Sequence, residues 1–406
     1  MHRTLPRFDF RVAVSGLSDV GSVRSNNEDV FRVEPSLSLF LVADGMGGHA
    51  AGEVAATVAA DAAVASIRSR DAQRAFEKYV AAPTLEARRR VLAVLRRAAE
   101  AANDEVLATA AREPLHRGMG CTLDVVVLLG DRAFVAHAGD SRVYLARAQA
   151  TIQLTHDHGL HEAMLAQGAV SSRAPLPVQN PLVNAIGLSP KLTVDGMSVD
   201  LARGDRIILC TDGIHGAIDA EAELAQIARA GTPEEATRSL VDTALVRGGR
   251  DNATAIVIDI GVRFVTRDRE QKDGGLLARD LATVRICPLF SELPSATVLR
   301  AMAAAVEVEI APADSLSRTI AGDRVAYVVL EGEIISPDGR VFADGTLVYP
   351  ESLVGEWRSG SLWKATTTPV RVLRLRADDF GEVCAGDLVL AAALYERLAR
   401  HLARIR

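Results

Sequence analysis

At 406 residues the chain has room for two domains, and its 46 Lys and Arg against 52 Asp and Glu give a formal net charge of −6, without the basic excess of a dedicated nucleic-acid binder. Hydrophobic residues make up 49% and charged residues 24%, a globular mix, and with aromatics at only 4% the core must be built from Ala, Val, Leu and Ile. The four cysteines (Cys121, Cys210, Cys287, Cys384) form no CxxC pair, which argues against a disulfide scaffold or a structural zinc and for a reducing compartment.

The N-terminus, MHRTLPRFDFRVAV, lacks the apolar run of roughly 7–15 residues that a secretory signal needs. No segment reaches the roughly 18 apolar residues of a membrane span. The expectation is a soluble cytoplasmic protein with no membrane and no nucleic-acid partner. Compact apolar runs at 36–44, 122–130, 132–140 and 205–213 are rich in β-branched or aliphatic residues and end at Asp or Gly, so each predicts a buried strand leading into a loop. Between them, apolar residues at three- and four-residue spacing predict amphipathic helices over Val54–Arg68 and Leu85–Ala111.

The texture changes near residue 265. Segment 263–279, charged at first and then Gly-rich, predicts a linker because it cannot bury enough surface to hold itself in place. Beyond it, Ile286–Val306 reads as helical. Short strands with Gly-containing turns follow, and Asp378–Arg406 is helical again. The division expected is therefore 1–262, a linker at 263–279, and 280–406.

The chemistry concentrates at the strand ends of the first part. Asn27-Glu28-Asp29, Asp44-Gly45-Met46-Gly47-Gly48, Gly139-Asp140-Ser141-Arg142, Asp212-Gly213 and Asp251-Asn252 all set carboxylates beside Gly or Asn. Such oxygen donors next to closely approachable backbone suit a hard cation such as Mg²⁺ or Mn²⁺. No His or Cys, the usual zinc ligands, sits within these motifs, so zinc is disfavoured. Any single Asp-Gly is an ordinary turn; five in one domain, each closing an apolar strand, are not.

Together with SDVGSVRSNNEDVF (18–31), LFLVADGMGGHAAGEVAA (39–56), GMGCTL (118–123), FVAHAGDSRVYLAR (134–147), LTHDHG (154–159), NAIG (184–187), GDRIILCTDGI (204–214) and GGRDNATAIVIDI (248–260), these motifs resemble the metal-dependent protein phosphatases of type 2C, the PPM family, in its bacterial form. The likeness covers residues 10–260. It implies an αββα sandwich, two antiparallel sheets flanked by helices. It also implies serine/threonine phosphoprotein hydrolysis with two or three Mn²⁺ or Mg²⁺ ions, and phosphoprotein substrates such as Ser/Thr kinases or their targets.

By that resemblance Asp44 bridges two ions, the Gly45 carbonyl binds the second, and Asp212 and Asp251 complete the first. Asp140 with Asp212 would form a third site, Glu28 and Asp29 would hold metal-bound water, and Arg24 would bind phosphate. Two cations can activate a water and neutralise phosphoryl charge, so no Cys or Ser nucleophile is then required, and a guanidinium matches phosphate geometry. Met46 stands where some members carry a His assigned as general acid, so the proton donor is left open; nearby His49 reads as a loop residue. Residues 155–190 resemble the family's variable flap, where His156, His158 and His161 read as a solvated helix start.

Residues 280–400 resemble, more weakly, a cyclic-nucleotide-binding domain, a small β-roll (jelly-roll-like) with helices. Gly355 and Glu356 match its phosphate cassette. Trp357 and Arg358 replace small residues, and Lys364 stands where a bidentate Arg is needed, which weighs against a bound cyclic nucleotide. The reading is a phosphatase with a C-terminal regulatory domain. Its rivals are a phosphoprotein-binding pseudophosphatase or scaffold and a phosphatase controlled by a cyclic nucleotide.

Overall fold

A computed structural model of the chain describes residues 3–47, 51–147, 150–166, 180–218, 221–263, 274–293, 297–298, 301, 305–320, 323–355, 362–366, 368–386 and 388–405. The chain divides into two compact units, Met1–Gly274 and Gly275–Arg406.

In the first unit, two six-stranded antiparallel sheets are formed. One runs in the order Arg3–Thr4, Phe10–Asp19, Ala253–Arg263, Arg206–Cys210, Arg142–Arg147, Ala150–Gln153. The other runs Asp195–Asp200, Arg132–Ala138, Leu123–Leu129, Leu39–Met46, Asp29–Glu34, with Gly120–Cys121 added beside Leu39–Met46. Helices Ala51–Arg68 and Leu85–Arg112 pack on the second sheet through Leu39, Leu41, Ala43, Val125 and Val127. Helix Pro233–Val246 packs on the first through Ile208, Cys210, Ala255 and Val257. The residues in between, Phe40, Val42, Val126, Ile207, Leu209 and Ile256, are also fully buried. Burial on both faces is why these strands read as continuous apolar runs rather than alternating ones. The expected two-sheet layering is found.

A helix at Arg70–Ala81, capped by the Ser69 hydroxyl accepting from the Ala72 N–H, was not anticipated from the sequence. All four cysteines are buried and unbridged, and burial pushes the thiols of Cys121 and Cys210 well up. They are core residues.

The second unit contains two antiparallel sheets. One is Ala305–Ile310, Val370–Arg376, Asp323–Glu331, Thr319–Ile320 with Leu347–Val348, and the other Ser315–Leu316, Trp363–Ala365, Ile334–Ile335, Val341–Phe342. Val325, Tyr327, Val329, Val370 and Val372 fill the space between them. Helices Ala377–Gly386 and Leu388–Ile405 follow. Two expectations are corrected here. The predicted linker 263–279 is too long at its C-terminal end, because a helix spans Gly274–Ile286, with Asp280 buried against the Arg371 guanidinium (2.9 Å). Helix therefore precedes Ile286 rather than starting there, and Ala305–Ile310 is strand. No described helix is long and apolar enough to cross a membrane.

Candidate active site

The carboxylates singled out in the sequence lie at one end of the two-sheet layer, because the antiparallel order brings the same ends of five strands together. Asp29 and Asp44 are direct cross-strand neighbours. One residue on, the Gly45 N–H donates to the Glu28 carbonyl (3.1 Å). Gly45 has no alternative residue: a Cβ there would lie 2.2 Å from the Gly52 carbonyl oxygen. At Gly52 an added Cβ would meet the Glu28 carboxylate carbon at 2.6 Å, so any larger residue there would have to push that carboxylate out of place. The start of helix Ala51–Arg68 is thereby pressed onto the strand, and the Gly52 N–H donates to the Glu28 carboxylate.

Each remaining carboxylate is held by its own local geometry. Asp212 opens the short helix Asp212–His215 at the end of strand Arg206–Cys210. Asp251 accepts from the Asn252 N–H (2.9 Å) and from the Arg24 guanidinium (2.6 Å). Asp140 sits after Gly139, whose φ of +121° belongs to the glycine region, and the His215 imidazole Nε2–H donates to the Asp140 carbonyl (2.9 Å).

Charge in this cluster is unbalanced. Burial first, then the neighbouring Asp29 and Asp212, holds the Asp44 carboxyl well above the usual range. Burial raises Asp29 to about 7 against the hydroxyls of Thr254 and Thr211, which lower it, and it raises Asp140 to about 7 with help from Asp212. Asp212 is raised by burial and then by Asp251. Asp29 Oδ1 and Asp212 Oδ1 are buried with no hydrogen-bond partner. Orphaned buried carboxylate oxygens crowded among like charges are what a divalent cation would relieve. Among the described residues no three His, Cys, Asp or Glu side chains close on a common point. A hard cation here would complete its shell with water and backbone carbonyl, the usual habit of Mg²⁺. The donor set fits such an ion.

Arg24, with its side chain 49% exposed, stands beside Asp251 at the rim. Its guanidinium is raised chiefly by the hydrogen bond to Asp251. Met46 is half-buried and has no proton to give. His49 lies outside the described residues.

Several supporting contacts escaped the sequence reading. Asn252 ties three segments together: its Oδ1 accepts from the Glu28 N–H (2.8 Å) and its Nδ2 donates to the carbonyls of Val20 (2.8 Å) and Asn26 (2.9 Å). Thr211 donates its hydroxyl to Asp29 (2.8 Å) and accepts from the Thr254 N–H. The Thr122 hydroxyl accepts from the Asp44 N–H (2.9 Å) and shares a hydrogen bond with Ser141 (2.7 Å). Neighbouring motif residues were visible in the sequence, but these cross-strand pairings were not.

The flap base is also built differently from expectation. Its histidines are not a solvated helix start: the helix begins at Leu160, and His161 is buried. His158 Nδ1 accepts from the Gly139 N–H (3.2 Å) and from Asn184 Nδ2 (2.8 Å). The carbonyl of His156 binds His137, which pairs with Asp124 (2.6 Å) inside the sheet. Residues 167–179 of the flap lie outside the described residues. In the second unit Gly355 lies in a bend and Lys364 is exposed on strand Trp363–Ala365. Trp363 packs on Phe342 at 5.1 Å. Glu356, Trp357 and Arg358 lie outside the described residues.

The protein phosphatase 2C model matches residues 12–163. A serine/threonine phosphatase of Listeria monocytogenes is 32% identical over 257 residues, covering 62% of this chain and 97% of that protein. The serine/threonine phosphatase PstP of Mycobacterium tuberculosis superposes with a TM-score of 0.54 at 29% identity, covering 62% of this chain and 99% of that structure. The PstP catalytic domain in complex with two manganese ions gives a TM-score of 0.51 at 29% identity, with the same coverage.

Proposed function

Because the chain belongs to the protein phosphatase 2C family, we infer that it removes phosphate from phosphoserine and phosphothreonine at the carboxylate end of its first unit. It is a protein-serine/threonine phosphatase dependent on Mn²⁺ or Mg²⁺. The observation that carries the site assignment is the crowding of the like-charged carboxylates of Asp29, Asp44, Asp140 and Asp212, with Asp29 Oδ1 and Asp212 Oδ1 buried without a hydrogen-bond partner.

Asp44 and the Gly45 carbonyl would hold a pair of cations with Asp212 and Asp251. Asp140 with Asp212 would hold a third, and Glu28 and Asp29 would orient the water around them. When bound, the ions neutralise phosphoryl charge and lower the pKa of the water they hold. Arg24 is placed to engage the phosphoryl oxygens with its fork of N–H donors. Asp251 keeps that fork aimed at the rim through the 2.6 Å bond. Thr122, Thr211 and Asn252 keep the carboxylates in place by bonding the backbone and side chains that carry them.

The substrates are phosphoproteins, and the second unit is a regulatory domain in a cytoplasmic enzyme. Retention of every carboxylate favours catalysis over the pseudophosphatase or scaffold. The exposed Lys364, a point charge rather than a fork, favours control by something other than a cyclic nucleotide.

The test is hydrolysis of a phosphothreonine peptide by the full chain with Mn²⁺, with and without EDTA. Turnover that EDTA abolishes is expected; folded protein with no metal-dependent turnover would overturn the reading. Calorimetry with cAMP and cGMP separates the regulatory alternatives.

A further inference from the structure

The strands Arg142–Arg147, Arg206–Cys210 and Ala253–Arg263 carry the carboxylate cluster at one end. At their other end, about 20 Å away at ~3.3 Å per residue, lies a cavity of about 310 Å³ lined by Gly204, Asp205, Arg206, Arg229, Asp259 and Ile260. Its charges are almost all spent on one another. Arg206 grips the Asp259 carboxylate with Nε and Nη2 and donates to the carbonyls of Ala228 (2.5 Å) and Gly231 (2.8 Å). Both oxygens of Asp205 accept from Arg147, and Oδ2 also accepts from the Ala202 N–H (2.7 Å). These two carboxylates therefore present little free negative charge to the cavity.

Arg229 is different. Its Nη2 donates to the Thr151 hydroxyl (2.8 Å), and its Nε is buried with no hydrogen-bond partner. Among the described residues no carboxylate pairs with it, and burial alone lowers its pKa. A partly desolvated guanidinium without a counter-charge carries a penalty that an anion in the cavity would remove. Its planar fork matches the spacing of two oxygens on one atom.

We propose that this cavity binds a small oxyanion, of the phosphate or carboxylate class, on the Arg229 guanidinium. The volume sits at the small end of ligand pockets, roughly 300–1,000 Å³, and the charged lining suits a compact polar ion rather than an apolar ligand. The site is separate from the catalytic carboxylates.

The experiment is thermal unfolding of the full chain in EDTA, titrated with inorganic phosphate or with malonate against sodium chloride at matched ionic strength. EDTA keeps cations from recruiting anions to the catalytic end, and Arg24→Ala removes its remaining phosphate donor. A saturable rise in Tm with at least one anion is expected, about 3–6 °C at ten times the Kd. The rise should persist in Arg24→Ala and vanish in Arg229→Gln, and the anion that saturates first identifies the source. A response no larger than that of chloride, or an undiminished one in Arg229→Gln, would overturn the site. Should Arg229→Gln fail to fold, Arg229→Lys keeps the charge without the fork; saturation should move to about tenfold higher anion, and unchanged saturation counts against the proposal.

Discussion

Asp29 and Asp44 face each other directly across two antiparallel strands, an arrangement of like charges that costs free energy unless something intervenes. Burial holds both carboxyls up, Asp29 to about 7. Mn²⁺ should therefore raise the Tm of the chelated protein by several degrees, and EDTA should reverse the rise. Calorimetric scans with and without the ion measure this directly; a Tm indifferent to Mn²⁺ would remove the cation from the cluster.

Asp212→Asn should lower kcat by several orders of magnitude with Mn²⁺ while leaving stability unchanged or higher. The substitution would remove an oxygen of the proposed ligand set and also removes one member of a crowded set of charges. Steady-state turnover of p-nitrophenyl phosphate and a parallel melt separate the two effects. A variant retaining a tenth of the activity would exclude Asp212 as a ligand.

Arg24→Ala should act on substrate capture. The side chain is half exposed and bonds only at the rim, so the fold should lose no more than about 0.5 kcal/mol. KM for a phosphopeptide should rise about tenfold or more. An unchanged KM takes Arg24 out of phosphate binding.

His215 holds the Asp140 carbonyl from inside, and burial lowers its pKa to about 4, so the ring stays neutral and Nε2–H remains a donor. His215→Ala should leave the loop slack and raise the Mn²⁺ concentration needed for half-maximal activity several-fold. His215→Gln, which keeps a donor, should recover part of the loss. Mn²⁺ titrations by calorimetry read the same shift without catalysis.

His137 supplies a pH dependence of its own. Burial would lower its pKa, but the charge and hydrogen bond of Asp124 prevail and raise it to about 9. In the unfolded chain the ring loses its proton near 6.5, so the stabilisation is complete below pH 6.5 and is lost as pH climbs through 9. Its size is on the order of 3 kcal/mol. Melts between pH 6 and 10 should fall along this curve for the native chain and stay flatter for Asp124→Asn/His137→Asn; parallel curves would contradict the pairing.

The carboxylates were legible in the sequence because each stands beside Gly or Asn where an apolar run ends or begins, and strand ends of this kind announce themselves locally. Asp29, Asp44, Asp140, Asp212, Asp251 and Arg24 all reach the same end of the sandwich. The Asn252 bridge and the Thr211–Asp29 bond were not legible, since they join residues 182 or more apart in the chain. The Asp124–His137 pair hides inside strands whose other residues are apolar. Helix Arg70–Ala81 was missed although its apolar stripe, Ala72, Ala75, Phe76 and Tyr79, has helical spacing, because the polar and charged residues around that stripe dominate the stretch. The helix that begins inside the expected linker is held by buried Leu281 and Val284 and by a long-range ion pair, Arg371 with Asp280, which no local pattern reveals.

The strand order carries a consequence for biosynthesis. Strand Ala253–Arg263 lies between Phe10–Asp19 and Arg206–Cys210, so the N-terminal strand waits for one of the last segments of its unit before its sheet closes. Asp251 and Asn252 arrive just ahead of that strand. A ribosome halted anywhere before residue 250 therefore releases a chain with an unclosed sheet edge and without Asp251 and Asn252, so the proposed site is completed only late in translation.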